Sequence, residues 1–144
     1  MKWLCWNGRI EKRLAVEFEV KDLGSLRYFL GMEVVRNRSA ISVSQRNYIL
    51  DLLKETGMLC CKPVNIPMDP LKRIGDSEKS IPIDTGRYQW LVGKLIYLSH
   101  TRPDIAFAIS VVSQYMHAPW LEHLEAVYKI LKYLKGSLAK RVIF

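Results

Sequence analysis

Cysteine is scarce: Cys5, Cys60 and Cys61 are the three among 144 residues. An odd count with one adjacent pair makes a poor disulfide framework, and no Cys-x-x-Cys or His-x-x-x-His spacing supplies a zinc site. No apolar run approaches the roughly 20 residues that cross a bilayer. The start, Met1-Lys2-Trp3-Leu4-Cys5-Trp6, is interrupted too soon by Asn7-Gly8-Arg9 to be a signal peptide. The chain therefore reads as intracellular, its compartment open, with no membrane contact and no structural metal. Acidic residues are also few, 14 against 22 Lys and Arg, and no two are adjacent. The nearest pairs are Glu17/Glu19 and Asp76/Glu78, and the second pair reads as part of a solvated loop. Phosphoryl transfer by two metal ions needs several carboxylates converging on ions about 3.5–4 Å apart, and this inventory offers none. A strained Gly-x-Ser-x-Gly turn is missing, Cys60-Cys61 shows no partner base, and Gly24 and Gly31 make no phosphate loop. His117 and His123 flank Pro119, where a surface role is expected of both. No complete active site is found.

What is present is an ordinary globular composition, 49% hydrophobic and 25% charged, sized for one domain or two very small ones. The net charge of +8 favours a polyanionic partner. Ile10, Leu14 and Phe18, spaced by four, predict a helix over Ile10 to Phe18. Tyr28 to Arg36 and Ala40 to Ser44 read as two strands around the polar turn Asn37-Arg38-Ser39. A helix follows from about Gln45 to Thr56, with Ile49, Leu52 and Leu53 on one face and Gly57 as its stop. Residues 57–86 hold four of the six prolines and read as a connecting segment too irregular to form a core. Three helices are expected after it: Arg87 to Ser99, Pro103 to Met116 and Leu121 to Lys135. Pro103 suits a first helical turn, where its missing N–H costs nothing. Ile105, Ile109, Val112 and Met116 form one apolar stripe, and Leu124, Val127, Leu131 and Leu134 another. Val142-Ile143-Phe144 begins a further element. The fold class is α+β: a short β-hairpin behind an N-terminal helix, then a mostly helical region.

The helix from Arg87 to Ser99 carries the sharpest functional signal. At about 100° per residue, Tyr88, Leu91, Val92, Leu95, Ile96 and Leu98 gather on one half of the wheel. Gln89, Gly93 and Tyr97 lie on the other half, flanked by Trp90 and Lys94. A mid-helix glycine costs roughly 1 kcal/mol relative to alanine, so Gly93 has a reason to be there. One reason is close backbone approach to a nucleic-acid groove, between an amide that hydrogen-bonds and an aromatic that stacks, with Lys94 on phosphate. The other is helix packing through Gly93.

Several runs resemble the reverse transcriptase of Ty1/copia-type retrotransposons. They are Asp22-Leu23-Gly24-Ser25-Leu26-Arg27-Tyr28-Phe29-Leu30-Gly31-Met32-Glu33-Val34, Ser44-Gln45-Arg46-Asn47-Tyr48-Ile49, and Gly57-Met58. Arg87-Tyr88-Gln89-Trp90-Leu91-Val92-Gly93-Lys94-Leu95-Ile96-Tyr97-Leu98 and Thr101-Arg102-Pro103-Asp104-Ile105 continue the series. His123-Leu124-Glu125-Ala126 and Ile130-Leu131-Lys132-Tyr133-Leu134-Lys135-Gly136 complete it, in family order over about residues 10–144.

The resemblance implies part of a Pol polyprotein: a palm remnant over 1–56, a linker over 57–86, and a thumb and connection over 87–144 leading toward a ribonuclease H domain. The family's Tyr-x-Asp-Asp hairpin, whose carboxylates hold Mg2+, lies upstream of the matching part, so neither a catalytic residue nor a metal cofactor is expected in this chain. Phe29, Leu30, Gly31 and Met32 resemble the primer grip. Gln89, Gly93 and Tyr97 match the Gln, Gly and aromatic of the retroviral thumb helix that tracks the minor groove, with Lys94 beside them, and this favours the groove reading over packing. Arg102 and Asp104 read as fixing the start of a helix. The implied partners are an RNA/DNA primer–template duplex and the remainder of the polyprotein. The implied function is RNA-directed DNA polymerisation, with this chain alone inactive. The alternatives are a non-enzymatic nucleic-acid-binding module and a degenerate transposon-derived reading frame.

Overall fold

Ile41 and Val43 alternate with serines, and the β-branched run Val34-Val35 pairs with them in a sheet. The computed structural model describes residues 16, 27–29, 32–71, 74, 81–140 and 142–143. Of the helix expected over Ile10 to Phe18, Val16 alone falls among them, and it is helical; Leu30, Gly31, Asp76 and Glu78 lie outside. Strands β1 (Tyr28–Phe29), β2 (Met32–Arg36), β3 (Ile41–Ser44) and β4 (Val142–Ile143) form an antiparallel sheet in sequence order. Instead of one strand over 28–36, the chain reverses between Phe29 and Met32, which face each other in register. The run Tyr28-Phe29-Leu30-Gly31-Met32 carries no polar turn residue to mark such a reversal. The β2–β3 turn falls where its polar residues place it. The Asn37 side-chain oxygen accepts hydrogen bonds from the backbone N–H of Ser39 and Ala40 at 3.0 and 2.7 Å, an Asx turn that sets Arg36 opposite Ile41. Val142-Ile143 pairs with β3 and becomes the sheet's fourth strand.

Helix α1 (Arg46–Glu55) buries Ile49, Leu52 and Leu53 as its spacing predicts. It stops where Gly57 takes φ of 70°; there the Met58 N–H reaches the Leu53 carbonyl and the Gly57 N–H the Lys54 carbonyl, a Schellman closure. Helix α2 (Thr85–Leu98) begins two residues before the expected Arg87 because Asp84 caps it, its carboxylate accepting from the Gly86 N–H at 3.0 Å. Tyr88, Leu91, Val92, Leu95 and Leu98 are fully buried, but Ile96, at the rim of that arc, is exposed.

The helix expected over 103–116 is shorter. Pro103–Ile105 form a 3-10 turn and helix α3 covers Ala106–Ser113. Near its end the hydroxyls of Ser110 and Ser113 donate to the carbonyls of Phe107 and Ser110, offering the backbone a local alternative to the helical ladder. Helix α4 (Leu121–Gly136) closes the core with Val127, Ile130, Leu131 and Leu134. The connecting segment is more engaged than its prolines suggest. Met58, Val64, Met68 and Ile83 pack against the core, and residues 81–83 run antiparallel to 119–121, with Leu121 N–H donating to the Ile81 carbonyl. Gly136 permits this, since a Cβ there would stand 3.0 Å from that of Pro63. Helices α1 to α4 each contribute to one apolar cluster.

Candidate nucleic-acid interface

Burying one half of α2 turns its other half outward. Gln89, Trp90 and Gly93 are exposed and Lys94 and Tyr97 partly so. Among the described residues nothing lies within 4 Å of a Cβ built at Gly93. No described helix packs on that glycine. Gln89 donates one amide N–H to the Met116 carbonyl, at 3.0 Å, on the loop before α4. This bond orients the amide and leaves its second N–H and its oxygen outward. At the other end, Tyr97 meets Tyr48 of α1 edge-on, with centroids 5.1 Å apart, and His100 at 6.2 Å. Between them the Lys94 ammonium rests 5.2 Å from the Trp90 ring and 5.5 Å from the Tyr48 ring. Burial, and then the neighbouring Tyr97, raise the Tyr48 hydroxyl above its ordinary pKa, so Tyr48 is neutral at physiological pH. The face thus offers oriented hydrogen-bonding groups, a cation and aromatic edge around a stretch of bare backbone.

The primer-grip-like residues are placed less fully. Phe29 and Met32 pair across the reversal at the sheet's β1 edge, Met32 half-buried, while Leu30 and Gly31 lie outside the described residues.

Arg102 and Asp104 belong to a different construction. The Arg102 side chain is 2% exposed, and its guanidinium forks onto both Asp104 oxygens at 3.0 and 2.8 Å. It also donates to the backbone and side-chain oxygens of Ser137. Tyr133 donates to Asp104 at 2.6 Å, and Lys140 reaches both Tyr133 and Asp104. Burial by itself would raise the Asp104 carboxyl, but hydrogen bonds from Arg102, Tyr133 and Lys140 outweigh it and hold its pKa well below the carboxylate range. The pair does fix the 3-10 turn, as expected, and in addition ties it to the end of α4. Next to it, the Thr101 hydroxyl donates to the Gln45 side-chain oxygen at the start of α1.

His117 is exposed as expected, but His123 is buried at 2% exposure and so is not a surface histidine. Tyr115 and Trp120 stack on its ring, with centroids at 3.8 and 5.7 Å, and Nδ1 accepts the Trp120 backbone N–H at 2.9 Å. Burial lowers its pKa and keeps the ring neutral. Sequence reasoning also missed Tyr48. It sits in a run that resembles the family, yet no pattern along α1 announces its contact with α2.

Among the described residues no group of three or more His, Cys, Asp or Glu converges to hold a metal ion. Nor is any helix among them long and apolar enough to cross a membrane.

The family described as reverse transcriptase (RNA-dependent DNA polymerase) matches residues 7–70. The Retrovirus-related Pol polyprotein from transposon RE1 of Arabidopsis thaliana is 45% identical over 124 residues, covering 86% of this chain and 8% of the polyprotein. The corresponding polyprotein from transposon TNT 1-94 of Nicotiana tabacum is 35% identical over 148 residues, 95% of this chain and 11% of its own length. An uncharacterized mitochondrial protein of Arabidopsis thaliana is 37% identical over 126 residues, 88% of this chain and 52% of its own length. The chain thus spans about a tenth or less of the polyproteins it matches. No solved structure matches it.

Proposed function

Because the chain belongs to the reverse transcriptase family of copia-type retrotransposon Pol polyproteins, we propose that its part in RNA-directed DNA synthesis is to hold the primer–template duplex. In this reading residues 87–144 act as the thumb and connection and the reversal at Phe29–Met32 as the primer grip. The α2 face lies along the minor groove, and the observation that carries this is the open backbone at Gly93 between Gln89 and Lys94. A bare backbone lets the helix approach sugar edges closely. The free N–H and oxygen of Gln89 meet the acceptors and donor of the minor-groove base edges, or ribose 2′-hydroxyls on an RNA strand. Lys94 neutralises a phosphate, which positions the duplex without reading its sequence. Nucleotide joining belongs to carboxylates this chain does not supply, since no two of its acidic residues are adjacent.

Titrating purified chain into a labelled RNA–DNA hybrid tests the reading. Affinity should fall steeply with salt through counterion release. Gln89→Ala and Gly93→Leu should each weaken binding with helix content unchanged. Equal affinity in wild type and both variants would overturn the proposal. Primer extension in Mg2+ should give no product from the chain alone, and robust synthesis would overturn the assignment of a purely holding role.

A further inference from the structure

The aromatic expected to touch nucleic acid is Tyr97, but the packing of α2 points to its neighbour. Around the helix the outward residues follow the angular order Gln89, Gly93, Tyr97, Trp90, Lys94, so Trp90 shares the face and stands a turn before Gly93. Tyr97 is half-buried and its ring is already engaged edge-on by Tyr48. Trp90 is 43% exposed, one of the few large apolar side chains of the helices left in solvent. Its partner in the fold is the Lys94 ammonium, which leaves much of the indole uncovered. Among the described residues no carboxylate pairs with Lys94, so the indole sits beside an uncompensated cation in a chain of net charge +8.

We infer that Trp90, not Tyr97, is the aromatic that contacts the duplex. Its indole packs on a sugar edge of the minor groove while Lys94, cradled between Trp90 and Tyr48, meets the adjoining phosphate. Tyr48 is the positioning residue that holds Lys94 from the side opposite Trp90, and Tyr97 packs on Tyr48 at the end of α2 without meeting the duplex. A nucleic acid is the occupant chosen because the patch joins an exposed aromatic to unpaired positive charge, the combination that sugar and phosphate present in complementary form. An apolar protein partner would call for neither Lys94 nor the bare backbone at Gly93. The inference rests on the duplex-holding reading and sharpens which residue carries it.

Matched leucine substitutions in the full chain separate the two aromatics. With an RNA–DNA hybrid as probe, Trp90→Leu should weaken binding at least about fivefold, and Trp90→Phe should recover part of that loss. Tyr97→Leu, which still fills the space against Tyr48, should bind within about twofold of wild type. Tryptophan emission should shift to the blue on binding, and the shift should vanish in Trp90→Phe although Trp3, Trp6 and Trp120 remain. Circular dichroism confirms unchanged helix content in each variant. Wild-type affinity and an intact shift in the Trp90 variants, with Gln89→Ala still impaired, would overturn this inference and leave the duplex-holding reading standing. The same holds if Tyr97→Leu alone loses binding. Absence of binding by the wild-type chain at low salt would overturn both.

Discussion

The cluster around Arg102 and the outward face of α2 draw on similar residue types, a cation, aromatics and hydrogen-bonding groups, yet they are finished in opposite ways. At Arg102 each charge meets its counterpart inside the fold: the guanidinium forks onto Asp104, Tyr133 and Lys140 complete the carboxylate, and Ser137 takes two further donors. On α2, Gln89 has given away one N–H, Lys94 leans on rings, and Gly93 meets no neighbour among the described residues. A saturated cluster gains nothing from a ligand. An unsaturated one, oriented by its anchors, is prepared to bind. The family resemblance marks both runs alike, and the geometry is what separates a fastening from an interface.

The largest effect that would break this comparison is at the fastening. Arg102→Ala should cost about 1.5–3 kcal/mol, because it removes a buried guanidinium and its hydrogen bonds to Asp104 and Ser137, while Tyr133 and Lys140 still hold the carboxylate. Urea unfolding reads this directly, and a loss under about 1 kcal/mol would mean the cluster behaves like a surface ion pair. Acid is the second probe. A carboxyl held below its ordinary value of 3.8 adds stability that is complete above the unfolded-state pKa and is lost as pH falls through that value toward the folded one. Unfolding midpoints should therefore drop below about pH 5, and Asp104→Asn should remove much of that slope while lowering stability at neutral pH. His123 gives a milder slope at higher pH. Its folded pKa lies below 6.5, so its contribution is complete above that value, declines as the unfolded chain takes up a proton, and levels off once the folded ring protonates too. His123→Phe should flatten the stability profile between about pH 7 and 5. An unchanged slope would place that titration elsewhere.

Local chemistry was legible in the sequence, and contacts between distant segments were not. Gly57 announced the end of α1 because a left-handed cap is a property of one residue and its neighbours. The β2–β3 turn was equally readable, since Asn37 closes it with its own side chain. The two faces of α2 followed from helical period, apart from Ile96 at their rim. The reversal between Phe29 and Met32 was hidden inside an apolar run without a polar turn residue. The pairing of Val142-Ile143 with β3 depends on where α4 delivers the chain. His123 reads as a polar residue near a proline turn, and its burial is decided by Tyr115 and Trp120 folding over it. Of the candidate interface, Gln89, Gly93, Lys94 and Tyr97 were visible as a face. The contacts that anchor them, from Met116 and Tyr48, lie on other elements and leave no mark on the helix's own pattern.

The smallest effect gives the comparison its finest edge, since it should carry opposite signs in two measurements. Gly93 is helical and nothing described crowds its Cα, so Gly93→Ala meets no steric penalty and should raise stability by roughly 0.5–1 kcal/mol through backbone entropy. If the same position exists for close approach to a duplex, the added methyl should weaken hybrid binding even as the fold gains. Paired urea and titration experiments on this one variant test both halves. A stabilised chain that binds as well as wild type would show that the helix keeps its distance from the groove, and Gly93 would then have no role in recognition. A destabilised chain would show that the glycine serves the fold, and the contrast between fastening and interface would fail at its centre.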